Sequence, residues 1–230
     1  MDSHAVVIGG AGRLGRLIVQ KLLDRGERVR VVGRSVQSAR RSLPPGAVFY
    51  QGDVRDPQAL VEPLARSSAL IYCVEPGTSD DGPDRPETTL YQGVRHALAA
   101  AAVGAHRPHV VLVSQMHATH RAHPLNAYGR VLDWRLAGED AVRDSGLRYT
   151  VVRPAWLTDA PVAGQRVRLE QGDRGFGQVC RQDVAEACVQ ALYCESAAGV
   201  TFEIFNEAGV GSTPWSEAFA ALTGDRVPVG

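Results

Sequence analysis

The sequence contains little lysine, no excess of either charge and no long apolar run. It has 230 residues with 25 basic and 25 acidic side chains, so its formal net charge is zero. Such a balance gives no reason to expect nucleic acid as a partner. Lys21 is the only lysine, and every other basic residue is therefore arginine. No stretch approaches the roughly 18 uninterrupted apolar residues of a membrane span, so we expect no membrane partner.

The cysteines also lack a recognisable pattern. The four of them have neither the spacing of a metal site nor that of a disulfide framework, and we predict free thiols in a reducing compartment and no metal centre. Residues 1–4 lead directly into an apolar run, so we expect no signal peptide at this end. We therefore expect a cytoplasmic protein.

A glycine cluster follows that first apolar run, residues 5–8. Its glycines are Gly9, Gly12 and Gly15, and helical apolar spacing begins at about Leu14. In this order one glycine permits a tight turn, another admits a pyrophosphate, and the third lets the helix lie close to the strand. The helix N-terminus supplies free N–H groups and a partial positive charge. The segment predicts a dinucleotide site, with an ordinary strand-to-helix turn as the alternative.

The second predicted strand ends in an arginine where an NAD site would carry an acidic residue. Arg34 at this position suits the 2′-phosphate of NADP(H) in both charge and bidentate geometry. Arg13, inside the glycine turn, is close enough along the chain to reach the same phosphate. We therefore favour NADP(H) over NAD(H) as the cofactor. Alternatively, Arg34 is a loop residue that is exposed to solvent and contacts no cofactor.

Three further strand ends add residues to the predicted cofactor site. Asp53 is placed to accept a hydrogen bond from the adenine amino group, and Val54 to pack on the adenine face. The fourth strand ends at Cys73 and Val74, and the sixth ends at Pro154, near the expected nicotinamide position. All these residues lie at the carboxyl ends of parallel strands, where ligands bind in such sheets.

The fifth predicted strand, residues 109–114, ends at Ser114 and is followed by a loop rich in histidine. His117, His120 and His123 recur every third residue. A substrate pocket and a solvated surface are equally good interpretations. A metal site is a weaker one, because no nearby carboxylate or cysteine joins the three imidazoles.

The loops at this edge of the sheet are the candidates for substrate contact. We expect one domain over residues 1–230, with 155–180 and 206–230 covering the substrate and 159–178 acting as a lid. The mixture of aromatic, apolar and imidazole side chains suits a planar or polyketide-like organic molecule. The predicted contact residues are Glu75, Gln115, Met116, Trp156, Leu157 and Phe176.

Six segments of the chain carry a family resemblance: 9–15, 31–34, 52–54, 111–114, 145–154 and 181–185. In this order they resemble the atypical branch of the short-chain dehydrogenase/reductase superfamily, including its biliverdin-IXβ/flavin reductase-like members. The resemblance implies an α/β fold: a doubly wound Rossmann-type parallel sheet of about seven strands, helices on both faces and a small C-terminal substrate lobe. It also implies that the protein binds NAD(P).

The catalytic residues usual in that superfamily are not all present. They are a serine, a tyrosine and a lysine four residues after the tyrosine, and Ser114 matches the serine. Tyr128 is followed four residues later by Leu132. Arg135 best matches the lysine position and is expected to bind the nicotinamide ribose, but its pKa is too high for a proton relay. With Lys21 on the first helix, the usual acid–base pair is absent.

Three functions remain open. The first is a reductase that passes hydride to a conjugated acceptor, with the proton supplied by water or by Ser114, Tyr128 or His117, our predicted catalytic residues. The second is a non-catalytic NADP(H) sensor or assembly factor. The third is a non-redox enzyme, such as a dehydratase or cyclase. The expected partner is a small-molecule substrate, and a homodimer is left open.

Overall fold

The computed structural model of the protein describes residues 3–77, 80–103, 106–160 and 164–225. Strands and helices alternate along most of this length. The strands are β1 (His4–Ile8), β2 (Val29–Gly33), β3 (Val48–Gln51), β4 (Ser67–Tyr72), β5 (His109–Val113), β6 (Tyr149–Pro154), β7 (Trp156–Thr158), β8 (Gln165–Glu170), β9 (Gln178–Cys180) and β10 (Val200–Ala208). The α-helices are α1 (Gly15–Asp24), α2 (Val36–Ser42), α3 (Gln58–Leu64), α4 (Gly93–Val103), α5 (Val131–Arg143), α6 (Arg181–Tyr193) and α7 (Trp215–Ala220).

The main sheet has eight strands in the order β3-β2-β1-β4-β5-β6-β10-β8. Neighbouring strands run parallel from β3 to β10, and β8 pairs with β10 in the antiparallel sense. Strands β7 and β9 form a separate parallel pair beside the carboxyl end of β6. The chain crosses from one half of the sheet to the other between β3 and β4, beside β1. The predicted doubly wound Rossmann-type fold is confirmed.

The core has two parts, one on each face of the sheet, because successive side chains of a strand point in opposite directions. In β1, Val7 packs with α1 and α6 on one face, while Val6 and Ile8 pack with α3 and α4 on the other. All three side chains are fully buried. A strand buried on both faces explains why the apolar run at residues 5–8 is continuous rather than alternating.

Two element boundaries differ from the sequence prediction. The sequence predicts a long helix from about Tyr128 to Ser145, but Gly129 and Arg130 both have left-handed backbones, with φ of 48° and 58°. The helix therefore begins at Val131. The sequence also predicts one helix from about Thr88 to Val103, whereas the structure has a π-helical turn, Glu87–Gln92, followed by α4.

Helix α7 and the residues after it contact the amino-terminal half of β10, away from the carboxyl edge of the sheet. Phe219 of α7 packs on Phe202 of β10, with ring centroids 5.6 Å apart. Asp225 accepts hydrogen bonds from Thr201 at the start of β10. Of the segment 206–230 that we predicted to cover the substrate, residues 206–208 thus belong to β10, residues 215–225 cover one face of the core, and 226–230 lie outside the described residues. None of the described helices is both long and apolar enough to cross a membrane.

Candidate functional site

The glycine turn joins β1 to α1 and leaves no room for a Cβ at three of its positions. A Cβ on Gly10 would lie 2.7 Å from the side chain of Val31. Gly9 has a φ of +87°, and a Cβ there would lie 2.6 Å from the carbonyl oxygen of Cys73. A Cβ on Gly15 would overlap the carbonyl oxygen of Gly9. A Cβ on Gly12 would contact only that same oxygen, 3.2 Å away, among the described atoms. The Gly12 position is therefore open towards the adjoining space.

That space is a cavity of about 700 Å³ along the carboxyl edge of β1–β6. It brings together every residue predicted to bind the cofactor. These are Gly9, Gly12, Arg13, Leu14, Gly15, Arg34, Asp53, Val54, Cys73, Val74, Arg135 and Pro154. Of the predicted catalytic and substrate residues, those that line it are Ser114, Glu75, Gln115, Met116, Trp156 and Leu157.

The two arginines of the predicted phosphate site are each held by an acidic residue from another loop. Arg34 pairs with Asp84, with 3.2 Å between Nη1 and Oδ2. Arg13 pairs with Asp159, whose other oxygen lies 2.7 Å from Nη1 of Arg181. Both Arg13 and Arg34 are more than half exposed. Since exposed ion pairs contribute little, an arriving phosphate can exchange with these carboxylates.

The predicted adenine end of the cavity carries a third ion pair, between Asp53 and Arg55. The carboxylate of Asp53 accepts hydrogen bonds from Nε and Nη2 of Arg55, at 2.9 and 2.5 Å. Hydrogen bonding to Arg55 holds the pKa of Asp53 below its usual range, against the opposing effect of burial. Asp53 is therefore an ionised acceptor, as its predicted adenine contact requires, but one that Arg55 already binds.

Arg135 is buried at the floor of the cavity. Its guanidinium forms an ion pair with Glu75, and only 4% of its side chain is exposed. Its Nε is buried and has no hydrogen-bond partner among the described residues. A buried donor without a partner is costly, so this N–H is available to a ligand oxygen. The expectation of a ribose contact fits this arrangement.

Ser114 lies at the end of β5 and is hydrogen-bonded to a buried charged cluster. Its Oγ donates to Oε1 of Glu139 on α5, with 2.5 Å between the oxygens. Glu139 is fully buried, and it also accepts two hydrogen bonds from Arg153 of β6 and one from Arg143. Nη1 of Arg153 in turn donates to Glu203 on β10, at 3.0 Å.

The structure does not bring Tyr128 into the cavity. Its side chain is 64% exposed, and the residue ends a short 3₁₀ turn, Pro124–Ala127, ahead of the left-handed pair at 129–130. The sequence predicts Tyr128 as a catalytic residue at the start of a helix. Because the helix begins three residues later, the tyrosine ring is directed to solvent instead of to Ser114.

His117 and Phe176 are also outside the cavity lining. The N–H of His117 donates to Asp173, and its backbone is left-handed, so the ring stacks on His123 with centroids 4.7 Å apart. Burial lowers the pKa of His117. Phe176 is 77% exposed because its neighbours Gly175 and Gly177 lie against the ring of Phe205, which turns the Phe176 side chain outward.

Several residues of the site were not predicted from the sequence. Glu139 could have been found, because it follows Arg135 by one helical turn and so lies on the same face of α5. Asp84 and Asp159 pair with arginines 50 and 146 positions away, and no local pattern signals such contacts. The three histidines do approach one another, yet no metal-binding group of three ligands occurs within the described ranges.

The described residues of the cavity fit a dinucleotide in three respects. The turn is open at Gly12, α1 begins without a side-chain cap from Leu14, and a buried N–H of Arg135 lacks a partner. An uncapped helix N-terminus of this kind binds anionic oxygens.

A comparison with known families matches residues 9–195 to a family described as NAD(P)H-binding. The chain belongs to this family. The match spans the glycine turn, the arginines, the strand ends and α6, which together form the cavity. Binding of a nicotinamide dinucleotide is thus a property of the family to which these cavity residues belong.

Known proteins resemble the chain over nearly its whole length. Sanguinarine reductase from Eschscholzia californica is 29% identical over 258 residues, covering 93% of this chain and 92% of the relative. Among solved structures, a putative NAD-dependent epimerase/dehydratase from Bacillus halodurans has a TM-score of 0.78 at 20% identity, covering 96% and 100% of the two chains. An anaerobilin reductase from Escherichia coli O157:H7 has a TM-score of 0.73 at 18% identity, covering 88% and 97%. These two structures share the fold.

Proposed function

We propose that the protein is an NADP(H)-dependent reductase acting on a small, conjugated or aromatic organic molecule. The observation that carries the proposal is the continuity of the cavity, which runs from the glycine turn and two arginines to Ser114 and the Trp156–Leu157 segment. A single space therefore adjoins both the predicted dinucleotide residues and a partly apolar end. Relatives named as reductases support the same reaction class.

The charged residues of the cavity support the preference for NADP(H). Arg34 and Arg13 supply two guanidinium groups at the expected position of the 2′-phosphate, after exchange with Asp84 and Asp159. The guanidinium group suits a phosphate in charge and in its paired N–H geometry. Arg135 supplies a buried N–H for a ribose hydroxyl.

We infer a conjugated substrate because the described lining of the cavity lacks the usual side-chain proton donors. When bound, the reduced nicotinamide supplies a hydride. No tyrosine, lysine or histidine occurs among the described residues that line the cavity. The thiol of Cys73 donates to the carbonyl of Ile8, and burial raises its pKa to about 12, so it is a poor acid at neutral pH. The proton source in this proposal is water, which suffices for an acceptor that delocalises the added charge.

A test of this function follows NADPH absorbance at 340 nm with flavin, quinone and enone acceptors. We expect oxidation that depends on the acceptor and that falls in Arg34→Ala at limiting NADPH. Arg107→Ala, which removes an exposed arginine outside the cavity lining, is the matched control and should behave like the unchanged protein.

A second candidate is a non-catalytic NADP(H) sensor. The lack of tyrosine, lysine and histidine in the described lining favours it, because turnover then depends on water alone. Tight NADPH binding with no oxidation by any acceptor would support the sensor and contradict the reductase. Steady oxidation with one acceptor would exclude the sensor.

A further inference from the structure

The hydrogen bond between Ser114 and Glu139 fixes which way the serine proton points. The two oxygens are 2.5 Å apart, and Ser114 is 5% exposed while Glu139 is fully buried. At this distance a proton must lie between the oxygens. It comes either from the serine hydroxyl or from a protonated Glu139.

The surroundings of Glu139 decide between these alternatives. Oε1 accepts from Nε of Arg153 at 3.0 Å, and Oε2 accepts from Nη2 of Arg153 at 2.6 Å and from Nη2 of Arg143 at 2.9 Å. Each carboxylate oxygen therefore faces at least one cationic N–H donor. Two guanidinium groups directed at one carboxylate stabilise its ionised form, so the proton belongs to the serine.

We propose that Ser114 is a hydrogen-bond acceptor in the cavity, held by Glu139 as a positioning residue, and that it binds an N–H or O–H donor of the ligand. With its own proton directed to Glu139, the hydroxyl has only oxygen lone pairs left for the cavity that Ser114 lines. This inference rests on the proposed function, which supplies the two sources of such a donor. They are the carboxamide of the nicotinamide and an N–H or O–H group of the substrate.

The same geometry excludes Ser114 as the proton donor of the reaction. Transfer of its proton to a ligand would leave an alkoxide 2.5 Å from an ionised carboxylate. Two negative charges at that separation in a buried site repel strongly, and the guanidinium groups already donate to Glu139. A ligand carbonyl at this position would also face lone pairs with no proton between them. The site therefore favours ligand groups that donate a hydrogen bond to Ser114.

Two pairs of probes, each differing by one N–H donor, test the proposal by equilibrium calorimetry. The first pair is NADP⁺ and its 3-acetylpyridine analogue, in which a methyl group replaces the carboxamide NH₂. The second is riboflavin and 3-methylriboflavin, measured with NADP⁺ present. We expect the donor-bearing member of one pair to bind about 5- to 10-fold more tightly, as one neutral hydrogen bond provides. Ser114→Ala should abolish that difference, and Ser114→Thr should keep it.

The outcomes answer two questions: whether Ser114 accepts a hydrogen bond from the ligand, and whether the donor belongs to the cofactor or to the substrate. Discrimination within the NADP⁺ pair assigns the donor to the cofactor, and discrimination within the riboflavin pair assigns it to the substrate. The proposal is overturned if, in both pairs, the two members bind with equal affinity. A pair of which neither member binds is scored as showing no difference. A difference that persists in Ser114→Ala also overturns it. Failure of the unchanged protein to bind NADP⁺ at all instead contradicts the proposed function.

The positioning role of Glu139 has a matched control in the same buried cluster. Glu203 is 1% exposed and also accepts a hydrogen bond from Arg153, at 3.0 Å. It accepts another from the backbone N–H of Asp173 and is not bonded to Ser114. Glu139→Gln should reduce the affinity difference between the donor-bearing and donor-lacking probes to the level seen in Ser114→Ala. Glu203→Gln should retain that difference. Retained discrimination in Glu139→Gln, or an equal loss in both variants, contradicts the role of Glu139. Should Glu139→Gln fail to fold, the Ala and Thr variants of Ser114 still decide the acceptor role.

Discussion

Gly12 and Gly15 are three residues apart in the turn that leads into α1, yet their surroundings differ, and so do the roles that we assign to them. A methyl group on Gly15 would overlap the carbonyl oxygen of Gly9 and lie 2.6 Å from Cα of Gly10. One on Gly12 would meet the same oxygen at 3.2 Å and otherwise enter the cavity. Gly15 is thus required for packing of α1 on β1, and Gly12 for the approach of a ligand.

Alanine substitutions should separate these two tasks. Gly15→Ala should lower the free energy of unfolding by about 1–3 kcal/mol, because the backbone must shift to admit the methyl group. Gly12→Ala should leave that free energy almost unchanged and weaken NADPH binding. Urea unfolding and calorimetric titration of both variants measure the two effects. Equal stability losses, or unchanged NADPH binding in Gly12→Ala, would contradict this assignment.

His109 is a buried histidine that makes folding sensitive to acid. Burial lowers its pKa to about 4 from 6.5, and its Nε2 lies 2.9 Å from Oγ1 of Thr150. Between those values the unfolded chain binds a proton that the folded protein excludes, so stability is present above pH 6.5 and is lost as the pH falls towards 4. The full contribution is about 3 kcal/mol at 1.36 kcal/mol per pH unit.

Replacing His109 should flatten this pH dependence. His109→Gln places an amide N–H near the position of Nε2 and so keeps a donor for Thr150, and it removes the titrating ring. Its urea midpoint should therefore fall less than that of the unchanged protein between pH 6.5 and 4. His120→Gln, at an exposed position, is the control and should retain the original slope. An unaltered slope in His109→Gln would show that other groups cause the acid sensitivity.

At the scale of elements, Asp173 joins the turn after β8 to the loop after β5. Its carboxylate accepts hydrogen bonds from the N–H groups of His117 and Thr119, at 2.5 and 2.9 Å, and from the Thr119 hydroxyl at 2.8 Å. The residue is 1% exposed. One carboxylate thus fixes two loops that the sequence predicts only as separate segments.

Removing that carboxylate should release both loops. We expect Asp173→Ala to lose about 2–4 kcal/mol of stability, since three hydrogen bonds to a charged acceptor disappear. Amide hydrogen exchange at His117 and Thr119 should accelerate more than exchange in β1. Asp159→Ala, at an exposed position, provides the control and should leave these amides protected. Equal protection in the two variants would contradict the docking role of Asp173.

The sequence predicts the elements well because their signals are local. Apolar runs mark the strands, and the glycine turn with Arg34 marks the edge at which the cavity forms. Contacts between residues that are far apart in the sequence have no such local signal. The start of α5 depends on the left-handed backbone of Arg130, an arrangement rare for a residue other than glycine. The pairing of Ser114 with Glu139 joins a strand end to a helix, and only tertiary packing reveals it.

At the scale of the whole molecule, a neutral chain encloses a cavity with an excess of positive charge. Five arginines and three acidic residues belong to the described lining: Arg13, Arg34, Arg55, Arg135, Arg181, Asp53, Glu75 and Asp84. A cavity with low-dielectric walls concentrates such a field, which favours a ligand carrying several phosphate charges. NADP(H) carries one phosphate group more than NAD(H), so this excess agrees with the proposed preference.

Titration of NADPH and NADH into the unchanged protein, Arg34→Ala and Arg107→Ala tests the central claim most directly. We predict that the unchanged protein binds NADPH more tightly than NADH. Arg34→Ala should weaken NADPH binding about tenfold or more, as the loss of a charge-assisted hydrogen bond implies, and leave NADH binding nearly unaltered. Arg107→Ala should match the unchanged protein. Equal losses for the two dinucleotides in Arg34→Ala, or no binding of NADPH at all, would contradict the account.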